Sequence, residues 1–169
     1  GTIEPSSGWE PIAGTTLHSE YPQIRFTVPG DYTLTVTLPS AGCGGKKLTA
    51  TRKLHVYDPT IDVSSMVADK KEMCEGETLT VQGAPVGEVE RTVWTVKLAG
   101  GETTDVVPRI SDDKVEVTIP DFGKYRVTAT VYGKGGCTVV VKDFEVTVRR
   151  APEVNLLDFP AYWLSLIHI

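Results

Sequence analysis

Ile24-Arg25-Phe26-Thr27-Val28-Pro29-Gly30-Asp31-Tyr32-Thr33-Leu34-Thr35-Val36 returns later in the chain as Val115-Glu116-Val117-Thr118-Ile119-Pro120-Asp121-Phe122-Gly123-Lys124-Tyr125-Arg126-Val127-Thr128-Ala129. Behind each copy come a Gly-Cys pair (Gly42-Cys43, Gly136-Cys137), an alternating stretch, and a proline that opens another (Pro59, Pro152). Tyr125 follows Tyr32 by 93 residues, Cys137 follows Cys43 by 94, and Pro152 follows Pro59 by 93. That period is too long for a solenoid repeat and suits a whole small domain.

Within each copy the side chains alternate with period two, the signature of strands with one buried and one wet face. Leu79 and Val81 oppose Thr78, Thr80 and Gln82, and Val115, Val117 and Ile119 oppose Lys114, Glu116 and Thr118. Tyr125, Val127, Ala129 and Val131 oppose Arg126, Thr128 and Thr130, and Phe144, Val146 and Val148 oppose Glu145, Thr147 and Arg149. Gly and Pro punctuate where turns are needed, at Gly83-Ala84-Pro85, Gly100-Gly101, Pro120-Asp121-Phe122-Gly123 and Gly133 to Gly136. Roughly seven strands in about 90 residues predict an all-β fold of antiparallel β-sandwiches.

The repeat sets the expected boundaries. Residues 1–58 read as the back part of a module lacking its first strands, 59–150 as a complete module, and 151–163 as the start of a third. Pro152 and Val154-Asn155-Leu156 mirror Pro59 and Ile61-Asp62-Val63. Because the chain starts inside a module, it is expected to be a fragment. Leu164-Ser165-Leu166-Ile167-His168-Ile169 back-translates as CTG TCT CTT ATA CAC ATC, which resembles the transposon end ligated to DNA during sequencing-library preparation. Residues 164–169 are therefore expected to be adapter read-through, with a natural hydrophobic tail as the alternative.

The net charge of −5 and pI near 5.2, with Lys and Arg scattered, exclude the clustered basic face of a nucleic-acid binder. No stretch approaches the roughly 20 apolar residues of a membrane helix. Catalysis by a Ser-His-acid set needs a histidine, and only His18, His55 and His168 exist. His18 sits in a Ser/Thr-rich loop, His55 alternates onto a wet face, and no nucleophile-elbow motif is present. The chain thus reads as a non-enzyme with no cofactor. Asp112-Asp113 and Glu88/Glu90 lie in turns where calcium could use them, but no Asp-x-Asp-x-Asp-Gly loop accompanies them, so solvated turns are the simpler reading.

The opening segment resembles the PKD-like, immunoglobulin-like modules of large extracellular proteins of Bacteroidetes-type bacteria. Thr2-Ile3-Glu4-Pro5, Gly8-Trp9, Gly14-Thr15, Pro22-Gln23-Ile24-Arg25-Phe26 and Gly30-Asp31-Tyr32-Thr33-Leu34-Thr35-Val36 follow that family's order, with Tyr21 where Asn is usual. The second copy keeps Cys74-Glu75-Gly76-Glu77, Trp94, Gly123-Lys124-Tyr125 and Gly136-Cys137 but has no WDFGDG-like motif. The resemblance implies tandem immunoglobulin-like (PKD-like) sandwiches serving as extracellular or cell-surface spacer and interaction modules, with no catalytic residues. The implied partners are other domains of the same polypeptide and surface glycans or proteins, without nucleic acid or membrane insertion. The alternative is a carbohydrate- or protein-binding module of a secreted hydrolase or adhesin.

In such a sandwich Cys74, before the second strand, and Cys137, before the last, can adjoin, and a Cys74–Cys137 disulfide is expected. It would close a loop of roughly 60 residues, worth on the order of 4 kcal/mol in the chain-entropy model, and would imply an oxidising compartment. Cys43, which matches Cys137, would pair with a residue in the missing front of its module. A free buried thiol is the competing reading; a metal site is disfavoured because no C-x-x-C exists. Trp94 is expected in the core, and Tyr32 and Tyr125 are structural, Tyr125 as a tyrosine-corner residue whose hydroxyl ties to nearby backbone. Trp9 and Tyr21, in a Pro/Gly/Ser-rich region, form the more open aromatic pair: candidate ligand contacts, with packing of Trp9 the alternative.

Overall fold

The computed structural model describes residues 1–39 and 47–153. Cys43 and the segment from Val154 onward, including Trp163 and the expected third module, lie outside the described residues. The strands, in chain order, are β1 (Thr2–Glu4), β2 (Trp9–Pro11), β3 (Ile24–Phe26), β4 (Gly30–Pro39), β5 (Lys47–Val56), β6 (Ile61–Asp62), β7 (Val67–Ala68), β8 (Glu72–Cys74), β9 (Thr78–Gln82), β10 (Val86–Gly87), β11 (Val89–Leu98), β12 (Arg109–Ile110), β13 (Lys114–Thr118), β14 (Gly123–Gly133) and β15 (Val139–Arg149). A single 3-10 turn, Lys134–Gly136, is the only helical element among the described residues.

Two compact units divide the chain. Of the described residues, the first comprises 1–39, 47–64, 85–93 and 130–141; the second comprises 65–84, 94–129 and 142–153.

The second unit carries the strongest two-residue alternation and the richest core. One sheet has the order β7-β9-β13-β12, the other β8-β15-β14-β11. Leu79 and Val81 from β9 and Val115 and Val117 from β13 are buried, as are Tyr125, Val127 and Ala129 from β14 and Phe144, Val146 and Val148 from β15. Fully burying such a side chain is worth about 1.5–3 kcal/mol, so this one face of each strand dominates the stability of the unit. Pairing is antiparallel for β7, β12 and β13 with their neighbours, but β8 runs parallel to β15, with Thr147 opposite Glu72 and Arg149 opposite Cys74.

The Cys74-Glu75-Gly76-Glu77 motif is the turn that carries the chain from β8 to β9. Glu77 accepts the Cys74 N–H through its carboxylate at 2.9 Å, and Glu77 N–H returns to the Cys74 carbonyl. Gly76, at φ +80, donates its N–H to the Ile119 carbonyl. A left-handed backbone at that step suits glycine and few other residues.

In the first unit, β1, β4 and β5 form a three-stranded sheet, β2 pairs with β3, and β6 pairs with β10. The β4–β5 hairpin is paired without interruption from Gly30↔Val56 to Pro39↔Lys47. Its buried apolar side chains among the described residues are few: Ile3, Tyr32 and Val131. Tyr32 therefore anchors the unit. Its ring lies 4.6 Å from that of Phe26, and its hydroxyl donates to the Val28 carbonyl at 2.7 Å, with the Gly8 carbonyl at 3.0 Å as a second acceptor. A bond to backbone four residues upstream is the geometry of a tyrosine corner, and in this chain Tyr32 shows it. Tyr125 is buried on β14, where burial pushes its phenol pKa up and the Asp121 charge adds to the shift.

Trp94 lies on the inward face of its strand. It is half-buried on β11, two residues before the buried Val96, and stacks on Phe144 with centroids 6.1 Å apart. An indole is too large to be covered fully near the edge strand of a four-stranded sheet.

Candidate functional site

The richest polar constellation in the first unit sits where β5 ends. Asp31 is the second residue of β4 and His55 the second-last of β5, and the hairpin register sets the two directly opposite each other. Alternation puts both on the solvent side of the strands. His55 Nδ1 lies 2.6 Å from Asp31 Oδ1, and His55 Nε2 lies 3.5 Å from Glu88 Oε1. The second oxygen of Glu88 accepts the Asp58 N–H, and the Glu88 carbonyl accepts the Lys134 N–H at 2.9 Å. Tyr57 packs edge-on against His55, with centroids 4.6 Å apart. A Cβ on Gly135 would come within 2.9 Å of the Tyr57 ring, so the glycine lets the 3-10 turn approach it.

The Asp31 hydrogen bond is the largest influence on His55 and raises its pKa above the usual 6.5; desolvation opposes this, and Glu88 adds to the rise. A raised pKa means the contribution of His55 to folding is complete below pH 6.5 and is lost as pH climbs through the higher folded value. Asp58 behaves oppositely. The Thr60 N–H bonded to it holds its carboxyl below 3.8, so its contribution is present above 3.8 and is lost as pH falls through the lowered value. Between 3.8 and 6.5 both contributions are present. An NMR titration of His55 should give a midpoint above 6.5 that falls in Asp31→Asn and, to a smaller extent, in Glu88→Gln. An unchanged midpoint in Glu88→Gln would show that the His55–Glu88 contact is absent in solution.

Sequence reasoning missed this cluster. His55 read as a wet-face strand residue and Glu88 as half of a turn carboxylate pair, and 33 residues of chain separate them. Only the Asp31–His55 half was within reach, through the register of the hairpin.

The two thiols stand apart from the expected bridge. Cys74 and Cys137 are free, the first half-buried and the second exposed with its Sγ 3.5 Å from the Gly135 carbonyl. The direction of β8 explains the correction. Because β8 runs parallel to β15, Cys74 pairs with Arg149 at the far end of that strand, whereas Cys137 precedes its first residue. An eleven-residue strand spans about 36 Å, against the roughly 7 Å between Cα atoms that a disulfide tolerates.

Trp9 and Tyr21 are not brought together as a platform. Trp9 lies half-buried on β2 opposite Phe26, its indole N–H donated to the Pro5 carbonyl at 2.9 Å. Tyr21 stands 79% exposed in the β2–β3 connection, and no ring contact joins it to Trp9 among the described residues. In the second unit a groove of about 430 Å³ runs beside Tyr125, lined by Lys71, Glu72, Lys124, Arg126 and Glu145 among others. Its walls hold an Arg126–Glu145 ion pair at 3.3 Å and no histidine, cysteine or serine.

The strand order now defines the class. Taken along the chain, β7, β9, β11, β12, β13, β14 and β15 fall into one sheet ordered first-second-fifth-fourth and another ordered third-sixth-seventh. That is the immunoglobulin arrangement of sheets ABED and CFG, with β8 added beside the last strand. The chain is an immunoglobulin-like β-sandwich protein.

No protein-family model and no curated protein sequence matches the chain. Solved structures are similar to it, among them the following two. Extracellular domains 3–5 of Drosophila OTK superpose with a TM-score of 0.42 at 16% identity, over 85% of this chain and 51% of that one. A chimeric titin Z1Z2 functionalised with an exogenous KLER peptide from decorin gives 0.37 at 18% identity, over 88% and 81%. The chain thus spans about half the length of the OTK structure. No helix among the described residues is long and apolar enough to cross a membrane.

Proposed function

We propose that this chain is a non-catalytic structural and interaction segment: tandem immunoglobulin-like modules of the PKD kind, in a larger bacterial surface or secreted protein, that hold neighbouring domains at a set spacing. The observation that carries this reading is the fastening around Glu88. The first repeat ends at Asp58 and the second opens at Pro59, with no linker between them. The end of the first repeat is tied to the second by the Asp58 N–H on the Glu88 carboxylate, by His55 on the same group, and by Tyr57 against Gly135. A chain of freely jointed beads would need a Gly/Ser-rich connector at this point; here the connector is replaced by packed and hydrogen-bonded residues. Fixed spacing between domains is what such a joint supplies.

The test is a spin-label distance measurement on the full chain with its native cysteines replaced by serine and labels at Thr49→Cys and Val139→Cys. A single narrow distribution is expected, broadening when Glu88→Ala is added. A distribution already broad with Glu88 intact would overturn the spacer reading.

A further inference from the structure

The groove beside Tyr125 arises from the alternation of the strands that form it. Met73, Tyr125 and Val146 turn inward from β8, β14 and β15, so Glu72, Lys124, Arg126, Glu145 and Thr147 turn outward. Thr147 stands opposite Glu72, and its N–H is donated to the Lys71 carbonyl at 2.9 Å. On the other side the Ala99 N–H is donated to the Lys124 carbonyl at 2.8 Å. Short Thr147 and Ala99 thus lie among long charged side chains, and the difference in length leaves a hollow of about 430 Å³ on the outer face of the sheet.

Charge in the hollow is unevenly matched. Glu145 holds Arg126 at 3.3 Å and Glu72 holds Arg149 at 3.0 Å, so both carboxylates are already engaged by arginines. Lys71 and Lys124 have no carboxylate within ion-pair distance among the described residues. Two cations are therefore surplus here, on a chain whose net charge is −5. A concave site with an excess of one sign draws the opposite charge. Small-molecule pockets are lined mainly by apolar side chains; this one is lined mainly by charged side chains, so its ligand must be polar along its length. A polymer charged at every unit, such as a nucleic acid or a polyglutamate peptide, would press negative charge on Glu72 and Glu145. A uronic-acid chain does not: each sugar brings one carboxylate for the lysines and several hydroxyl donors for the two glutamates and Thr147. Lys71 precedes β8 and Lys124 lies on β14, one strand to either side of β15. Their backbones stand about 10 Å apart, two strand spacings, which two lysine side chains close on a single carboxylate.

We propose that the second unit binds an acidic polysaccharide in this groove, with a uronate carboxylate between Lys71 and Lys124 and sugar hydroxyls on Glu72, Glu145 and Thr147. Every residue of the site belongs to the second unit, so the inference stands apart from the joint around Glu88 and from the spacer role.

The test is an NMR titration of the full chain with short oligogalacturonate and oligomannuronate. At least one of them should shift the amide signals of Lys71, Lys124 and Thr147, with an affinity that falls as salt is added. Neutral galactose oligomers should shift none of them. Lys71 and Lys124 are exposed, so the unit stays folded when both are changed to alanine, and the double variant should bind about tenfold more weakly or worse through loss of charge-assisted hydrogen bonds. Changing Lys47 and Lys53 of the first unit to alanine removes the same charge elsewhere and should leave binding as it was. Absence of shifts with both uronates would overturn the proposal. So would equal binding of an oligoglutamate, which would make charge alone the determinant, or equal weakening by the Lys47 and Lys53 changes.

Discussion

Replacing Tyr32 with alanine should unfold β1 to β5 while leaving the second unit intact. Truncating a buried aromatic costs about 3–5 kcal/mol, and the lost hydroxyl bond adds about 1 kcal/mol. In the first unit there is little else to absorb the loss, because Ile3 and Val131 are its other buried apolar side chains among the described residues. Tyr32 also joins β4 to the Gly8 and Val28 backbone and to Phe26, so its removal releases the β2–β3 hairpin as well as the sheet. Amide exchange resolved by segment should show protection lost across β3 and β4 and kept across β9 and β13. Tyr32→Phe, which keeps the ring, should cost only about 1 kcal/mol. Full protection of β4 in the alanine variant would mean that the anchor lies elsewhere.

Gly83→Ala should be the most damaging single-methyl change in the second unit. Gly83 sits at φ +89, and a Cβ built there would lie 2.1 Å from the Ser65 carbonyl oxygen and 2.7 Å from its carbon. Both obstacles are backbone, so no side chain can rotate away. The strained dihedral costs about 1–3 kcal/mol, and forcing the two chain segments apart costs a similar amount. The segments concerned are themselves tied, by Ser65 Oγ to the Ala84 carbonyl at 2.7 Å and by Gly83 N–H to the Asp113 carbonyl. Chemical denaturation should therefore show a loss of about 2–6 kcal/mol. Gly100→Ala is the control, because nothing lies within 4 Å of its Cβ position, and it should change stability little. Equal stabilities for the two variants would sink the steric account.

Much of the second unit is legible in the sequence. Leu79, Val81, Val115, Val117, Tyr125, Val127, Phe144, Val146 and Val148 are all buried on the faces that their alternation assigned them. The tyrosine-corner bond expected of Tyr125 is seen at Tyr32, the matching residue of the other copy. The cluster at His55 was out of reach because it depends on Glu88, which no local pattern connects to β5.

What the sequence determined by itself was the all-β character and the inward face of each strand, because side-chain alternation is a property of a few consecutive residues and needs no partner. Which strands are neighbours, and in which direction they run, only the tertiary structure decided. The parallel course of β8 along β15 separates Cys74 from Cys137 by the length of a strand, and the approach of Glu88 to His55 closes the polar cluster. Both outcomes depend on contacts between residues distant in the chain, whose free energy is spread over whole sheets and leaves no short pattern to read.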